Sequence, residues 1–148
     1  MADKVTPIVR ARMMSAIKAK DTSPEMAIRR GLHAAGFRYR VHVSDLPGKP
    51  DIVLPKYKAL IWINGCFWHG HTCRDGRLPQ SRIEYWQPKI ARTRERDAAA
   101  QIATASDGWR SLIIWECSFR RQGSEKLFEV IQRAKQWILL NEESTEID

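Results

Sequence analysis

Ten residues, Asn64-Gly-Cys-Phe-Trp-His-Gly-His-Thr-Cys73, hold two of the chain's three cysteines, two of its four histidines and two large aromatics. Packing alone does not ask for that mixture. Cys66, Cys73 and the distant Cys117, joined by one histidine, supply the four soft ligands of a tetrahedral structural zinc. By spacing alone, either His69 or His71 completes the set. Phe67, Trp68 and His69 then stand on a loop that the metal holds rigid, the kind of segment on which binding and chemistry concentrate.

A second constellation is built from oxygen. Asp51 follows Pro50 at the head of a predicted strand, and a hairpin returns the end of the next strand, residues 61–64, to its side. With Glu25 from the first helix, Asp51 can hold a hard divalent ion such as magnesium through carboxylate oxygens and water. The plain alternative is a turn aspartate after Pro47-Gly48. Pro-Asp at a strand head, followed by a second strand, is also the outline of the PD-(D/E)XK nuclease core. The acid-x-lysine half of that outline is missing, because the expected strand reads Leu60-Ile-Trp-Ile-Asn64. A different base is needed. His69, with an ordinary pKa of about 6.5, can take a proton from attacking water at neutral pH.

Charge points to the partner. Lysine and arginine number 25 against 17 acids, a net charge of +8 with a pI near 9.8. That balance favours a polyanion, most simply nucleic acid. The charge is unevenly spread: Arg10, Arg12, Lys18 and Lys20 crowd the start, Arg92, Arg94 and Arg96 recur mid-chain, and the tail NEESTEID is acidic. Phe67, Trp68 and Trp86 lie near loops or helix breaks, where a ring can stack on bases or wedge into a base step. Three cysteines, an odd number, exclude a simple disulfide framework and favour metal binding in a reducing compartment. No apolar run approaches the ~20 residues of a membrane span, and the opening MADKVTPIVRAR lacks the apolar core of a secretory signal. A cytoplasmic protein, nucleoid-associated when bound to DNA, is expected.

At 148 residues the chain fits one domain. Residues 1–20 read as a basic arm, 21–140 as a zinc-stabilised domain and 141–148 as an acidic flexible tail. Ser23 and Pro24 start a helix that turns Glu25, Ile28, Leu32 and Ala35 to one side and ends at Gly36. FRYRVHV, DIVLP and KALIWIN are strand candidates, the last two joined as a hairpin. Residues 82–107 read as a helix restarted at Pro88, with Ile90, Arg94, Asp97, Ala98 and Ile102 inward. RSLIIWE is a fourth strand, and a last helix buries Leu127, Val130, Ile131, Ala134 and Ile138. The order α-β-β-β-α-β-α predicts an α/β fold: a mixed central sheet with helices on both faces.

At this point the chain resembles the very-short-patch-repair (Vsr) mismatch endonucleases of the PD-(D/E)XK superfamily. The likeness runs through Asp21-Thr22, Glu25, Leu46-Pro-Gly-Lys-Pro-Asp51, Gly65-Cys-Phe-Trp-His69, His71, Cys73, Glu84-Tyr-Trp86, Glu95-Arg-Asp97, Gly108-Trp-Arg110 and Trp115-Glu-Cys117. The resemblance implies a monomer that nicks double-stranded DNA beside the thymine of a T:G mismatch, the product of 5-methylcytosine deamination, in concert with other mismatch-repair proteins. It implies Asp51 and the main-chain carbonyl of Ile63 as magnesium ligands, His69 as general base, and Glu25 as a supporting acid. Cys66, His71, Cys73 and Cys117 become the zinc ligands. Phe67, Trp68 and Trp86 become a major-groove wedge, with Met14 on the arm entering from the minor groove. The chain departs from the family at two positions, with Ile63 for threonine and Asn64 for histidine. The family histidine is expected to pair with Asp97 and assist at the phosphate; asparagine can donate a hydrogen bond but carries no charge. A rival reading is a DNA-binding module that has lost cleavage.

Overall fold

The computed structural model describes residues 22–148, so the basic arm and Met14 lie outside the described residues. Helix α1, Ser23–Ala34, starts one residue earlier than the sequence suggests: Thr22 is the N-cap, and its hydroxyl accepts the Glu25 N–H at 3.4 Å. Pro24 sits in the first turn, where its missing N–H leaves no bond unmade. Gly36, at φ +102°, reverses the chain after the helix.

Strands β1, Ile52–Leu54, and β2, Ala59–Asn64, form the expected antiparallel hairpin, with Ile52 opposite Ile61. Helix α2, Ile83–Ser106, crosses over to β3, Arg110–Trp115, which runs parallel to β2. Helix α3, Ser124–Leu139, then leads to β4, Thr145–Ile147, parallel to β3. The sheet order is β1-β2-β3-β4. β2 is buried along its whole length, the position its unbroken apolar run Ala59–Ile63 suits. On one face Ile61, Ile63 and Ile114 pack with Ile28 and Leu32 of α1 and with Ala134, Trp137 and Ile138 of α3. On the other, Val53, Leu60 and Trp62 meet Ala100 of α2. The mixed sheet with helices on both faces is therefore present.

Three elements differ from expectation. FRYRVHV makes only one bridge, Arg40 to Val53, because His42 turns left-handed at φ +58° and breaks the extended run. The acidic tail is not free: residues 145–147 form β4, Ile147 is buried in the core, and the Ser144 hydroxyl accepts the Ser111 N–H at 2.9 Å. Counting charges there hid one apolar residue that the sheet edge needed. Helix α2 runs unbroken through Pro88. Pro88 lies in its exposed second turn, where water can satisfy the carbonyl freed on Glu84. The inward face of α2 is Ile90, Ala100 and Thr104, with Asp97 half-buried between them, whereas Arg94, Ala98 and Ile102 are exposed.

Arg110 ties the last layer together. Its guanidinium donates to the carbonyls of Trp137 and Ile138 at the end of α3, and to those of Tyr57 and Glu142. A cation at a helix C-terminus satisfies orphan carbonyls and matches the helix dipole.

Candidate active site and metal centre

The ends of β2 and β3, the head of β1 and the start of α1 open into one cleft of about 970 Å³. Ligands in open α/β sheets collect at such carboxyl ends. Glu25, Asp51, Asn64, His69 and Asp97 all line it. The Asp51 carboxylate accepts the Ile63 N–H at 2.7 Å, which locks the head of β1 to the end of β2. Burial pushes the Asp51 carboxyl up to about 7, and neighbouring Glu25 adds to the rise; the Ile63 N–H, His69 and Arg29 pull the other way. Glu25 is buried and bonded to Arg29 at 3.0 Å, one turn along α1. The partner that the sequence did not reveal is thus four residues away.

These oxygens suit a hard divalent ion. Continuing the β1–β2 register from Ile52–Ile61 sets Pro50 opposite Ile63. The Ile63 N–H faces β1, and its carbonyl shares that side of the strand. Proline has no N–H to offer it. A main-chain acceptor therefore remains beside two carboxylates, one of them made harder to ionise by burial, and a cation would relieve both conditions. The Ile63 side chain itself is buried in the core beneath α1 and α3.

His69 lies apart from the cysteines. Its Nδ1 is 2.6 Å from Asp97 Oδ2 on α2. With the proton on Nδ1, His69 donates to Asp97 and leaves Nε2 as an acceptor. Asp97 is thereby engaged by His69 and not by position 64, the pairing the resemblance implied for a histidine there. Asn64, the last residue of β2, is buried at the wall of the same cleft.

Of the two histidines left open by spacing, the structure gathers His71 with the three cysteines. Cys66, His71, Cys73 and Cys117 bring one ligand atom each to within 4.8 Å of the others, three from the loop after β2 and one from the turn after β3. His71 Nδ1 lies 3.6 Å from Cys117 Sγ. Two ligands at ~2.05 and ~2.3 Å from one tetrahedral zinc lie about 3.6 Å apart, so the donor set suits that ion and this pair stands at its spacing. Burial pushes the Cys66 thiol up to about 12. Burial acts the same way on Cys73, but hydrogen bonds from His71, Cys66 and the Gly76 and Asp75 N–H groups outweigh it and bring that thiol down to about 7.

Phe67, Trp68 and Trp86 meet in one edge-to-face cluster, with centroids 5.1 Å, 5.1 Å and 5.9 Å apart. Trp68 is the most open of them, at 41% exposure, and Tyr85 extends the cluster at 4.9 Å from Trp86. The Lys89 ammonium stands over Tyr85, Trp86 and Trp68 at 5.4–5.9 Å. An aromatic platform with a cation on it adjoins the acidic cleft. Arg92, Arg94 and Arg96 are all exposed on α2. Residues 92 and 96 share a face at i, i+4, while the Arg94 stem turns toward Gly70 of the cysteine loop.

A family model described as DNA mismatch endonuclease Vsr matches residues 2–75, half of the chain. The DNA mismatch endonuclease Vsr of Escherichia coli is 38% identical over 150 residues, covering 100% of this chain and 95% of the relative. The chain belongs to the Vsr family. Type II nicking enzymes are also similar: V.XorIIP of Xanthomonas oryzae pv. oryzae at 45% identity over 84% of this chain and 91% of its own, and V.NmeAIP of Neisseria meningitidis serogroup A at 37% over 91% and 98%. As a Vsr-family protein it is an endonuclease, and no helix among its described residues is long and apolar enough to cross a membrane. Several further residues belong to the site. Tyr85 and Lys89 were legible as helix neighbours of Trp86 at i−1 and i+3. Arg29 was legible as an i+4 partner of Glu25. Arg120, which lines the cleft bonded to Glu116 at 3.1 Å, and Asp148 gave no sequence signal.

Proposed function

We propose that this endonuclease nicks one strand of duplex DNA beside the thymine of a T:G mismatch by magnesium-dependent hydrolysis, with His69 as general base. The observation that carries the reading is the meeting of Asp51, Glu25 and the His69–Asp97 pair in one cleft bordered by the aromatic platform. Asp51 and the Ile63 carbonyl would hold the magnesium, with Glu25 orienting water. When bound, the ion supplies positive charge to the scissile phosphate and to the leaving oxygen. His69 Nε2 accepts the proton of the attacking water as its oxygen bonds to phosphorus, and the bond to the sugar oxygen breaks. Asp97 holds the ring in the required tautomer and stabilises the imidazolium. Asn64 lines the wall and orients phosphate or water by hydrogen bonding alone.

A zinc ion held by Cys66, His71, Cys73 and Cys117 would have all four of its ligands from the protein, which suits a structural role fixing the loop that carries Phe67, Trp68 and His69. Phe67, Trp68 and Trp86 enter the stack where pairing is already imperfect, so weak T:G pairing becomes selectivity. Arg92, Arg94 and Arg96, with Met14 and the arm, supply the contacts to the DNA around it. The test is nicking of T:G and fully paired duplexes with magnesium. Asp51→Ala is expected to abolish nicking while still binding mismatched DNA in calcium. Activity within a few-fold of wild type would mean the site is elsewhere, and a wild type that binds but never nicks would favour the binding module.

A further inference from the structure

Strand β4 leads straight to the cysteine cluster, and nothing in the cleavage chemistry uses it. Its register with β3 pairs Leu112 with Thr145, Ile113 with Glu146 and Ile114 with Ile147. The next step sets Asp148 beside Trp115, two residues before the ligand Cys117. Ile147 is buried and anchors the strand, so Glu146 and Asp148 share the opposite side. Glu146 accepts the Trp115 indole N–H at 2.8 Å. The Trp115 ring in turn stacks on the His71 imidazole, with centroids 4.2 Å apart and planes 17° from parallel. Asp148 Oδ2 lies 3.4 Å from His71 Nε2, while Nδ1 faces the Cys117 sulfur.

We propose that β4 is a working part of the metal centre: Asp148 is a positioning residue that directs His71 Nδ1 at the thiolates, and Glu146 fixes the Trp115 plate beneath the ring. The proposal rests on the zinc reading of the four ligands. An imidazole offers either nitrogen to a metal, and the bond made by the other nitrogen decides which. A carboxylate at Nε2 selects the Nε2–H tautomer, leaves the Nδ1 lone pair for the ion and raises its basicity. The Asp148 side chain is 66% exposed, with Oδ2 standing 3.4 Å from the ring nitrogen.

The test uses the full-length zinc-loaded protein, with zinc affinity measured by competition with a chromophoric chelator. Asp148→Ala is expected to weaken zinc binding by about 10–100-fold, the usual effect of removing such a partner. Asp148→Asn, whose amide oxygen accepts the same bond, should recover part of the loss. Glu143→Ala removes a carboxylate from the same tail and should bind zinc as wild type does. With cobalt in place of zinc, the visible absorption bands should shift in Asp148→Ala and not in Glu143→Ala. Wild-type affinity and spectrum in Asp148→Ala would overturn the proposal, as would an equal loss in Glu143→Ala, which would make the effect one of general charge. A wild type that binds no zinc would overturn the metal reading as well.

Discussion

Asp51 is buried next to another acid, and that placement makes stability depend on pH. Its folded pKa, about 7, stands above the unfolded 3.8. The folded state therefore binds a proton that the unfolded state has released. Below about pH 3 the group is neutral in both states and costs nothing. As pH rises to 7 the cost grows to about 4 kcal/mol, three pKa units at ~1.4 each. Asp51→Asn keeps an acceptor for the Ile63 N–H and cannot ionise. In the zinc-loaded protein without added magnesium it should be the more stable form at pH 8, with the gap closing below about pH 3. Denaturant titrations at both pH values check this, and a pH-independent gap would contradict it. In the proposed mechanism Asp97 acts through His69, which it meets at 2.6 Å. Asp97→Asn should lower the nicking rate on the order of 10²–10⁴-fold, the range of a misaligned general base, with little change in DNA affinity. Single-turnover nicking separates the two quantities.

At the scale of elements, the loop after β2 is shaped by close approaches of its own backbone. A Cβ at Gly76 would lie 1.8 Å from the His71 carbonyl oxygen, an atom that cannot rotate away. Gly70, at φ +65°, brings the same loop against Ile90 and Arg94 of α2. Both glycines let the ligand loop fold tightly enough to seat His71 and Cys73 together. Gly76→Ala should therefore reduce zinc retention and lower the melting temperature, even though position 76 is not a ligand. A destabilisation of about 1–3 kcal/mol is the scale expected when packed atoms are forced apart. Metal analysis after dialysis, paired with calorimetry, checks it; full zinc retention with an unchanged melting temperature would show that the loop can open at no cost.

For the molecule as a whole, the proposed function assigns recognition and affinity to different surfaces. Trp68 is the open member of the aromatic cluster, and bases stack on such rings at about 1–3 kcal/mol. Trp68→Ala should shrink the preference for T:G over paired duplex by that amount. Arg92 and Arg96 share an exposed face of α2 and should act on both duplexes alike. Replacing both with alanine should weaken the salt dependence of binding by about 2 in the log–log slope, near 0.9 per phosphate contact. Binding isotherms at several salt concentrations test both substitutions. An unchanged preference in Trp68→Ala would mean that mismatch sensing lies on another element.

The sequence by itself determined what depends on residue type and short spacing. The sulfur ligands, the hairpin that returns residues 61–64 to Asp51, the buried central strand and the apolar face of α3 all follow from local pattern. Glu25 was legible as inward-facing for the same reason, since it shares a helix face with Ile28 and Leu32. Tertiary structure decided what depends on direction in space. His69 and His71 are interchangeable by spacing, and only the fold sends one to Asp97 on α2 and the other to Cys117 after β3. Asp51 acquires its raised pKa because α1 lays Glu25 and a dry wall beside it, which no dipeptide can encode. The tail became a strand because β3 presented an unpaired edge and the core had room for Ile147. An edge is a property of the assembled sheet, and the three residues of β4 that cover it do not contain it.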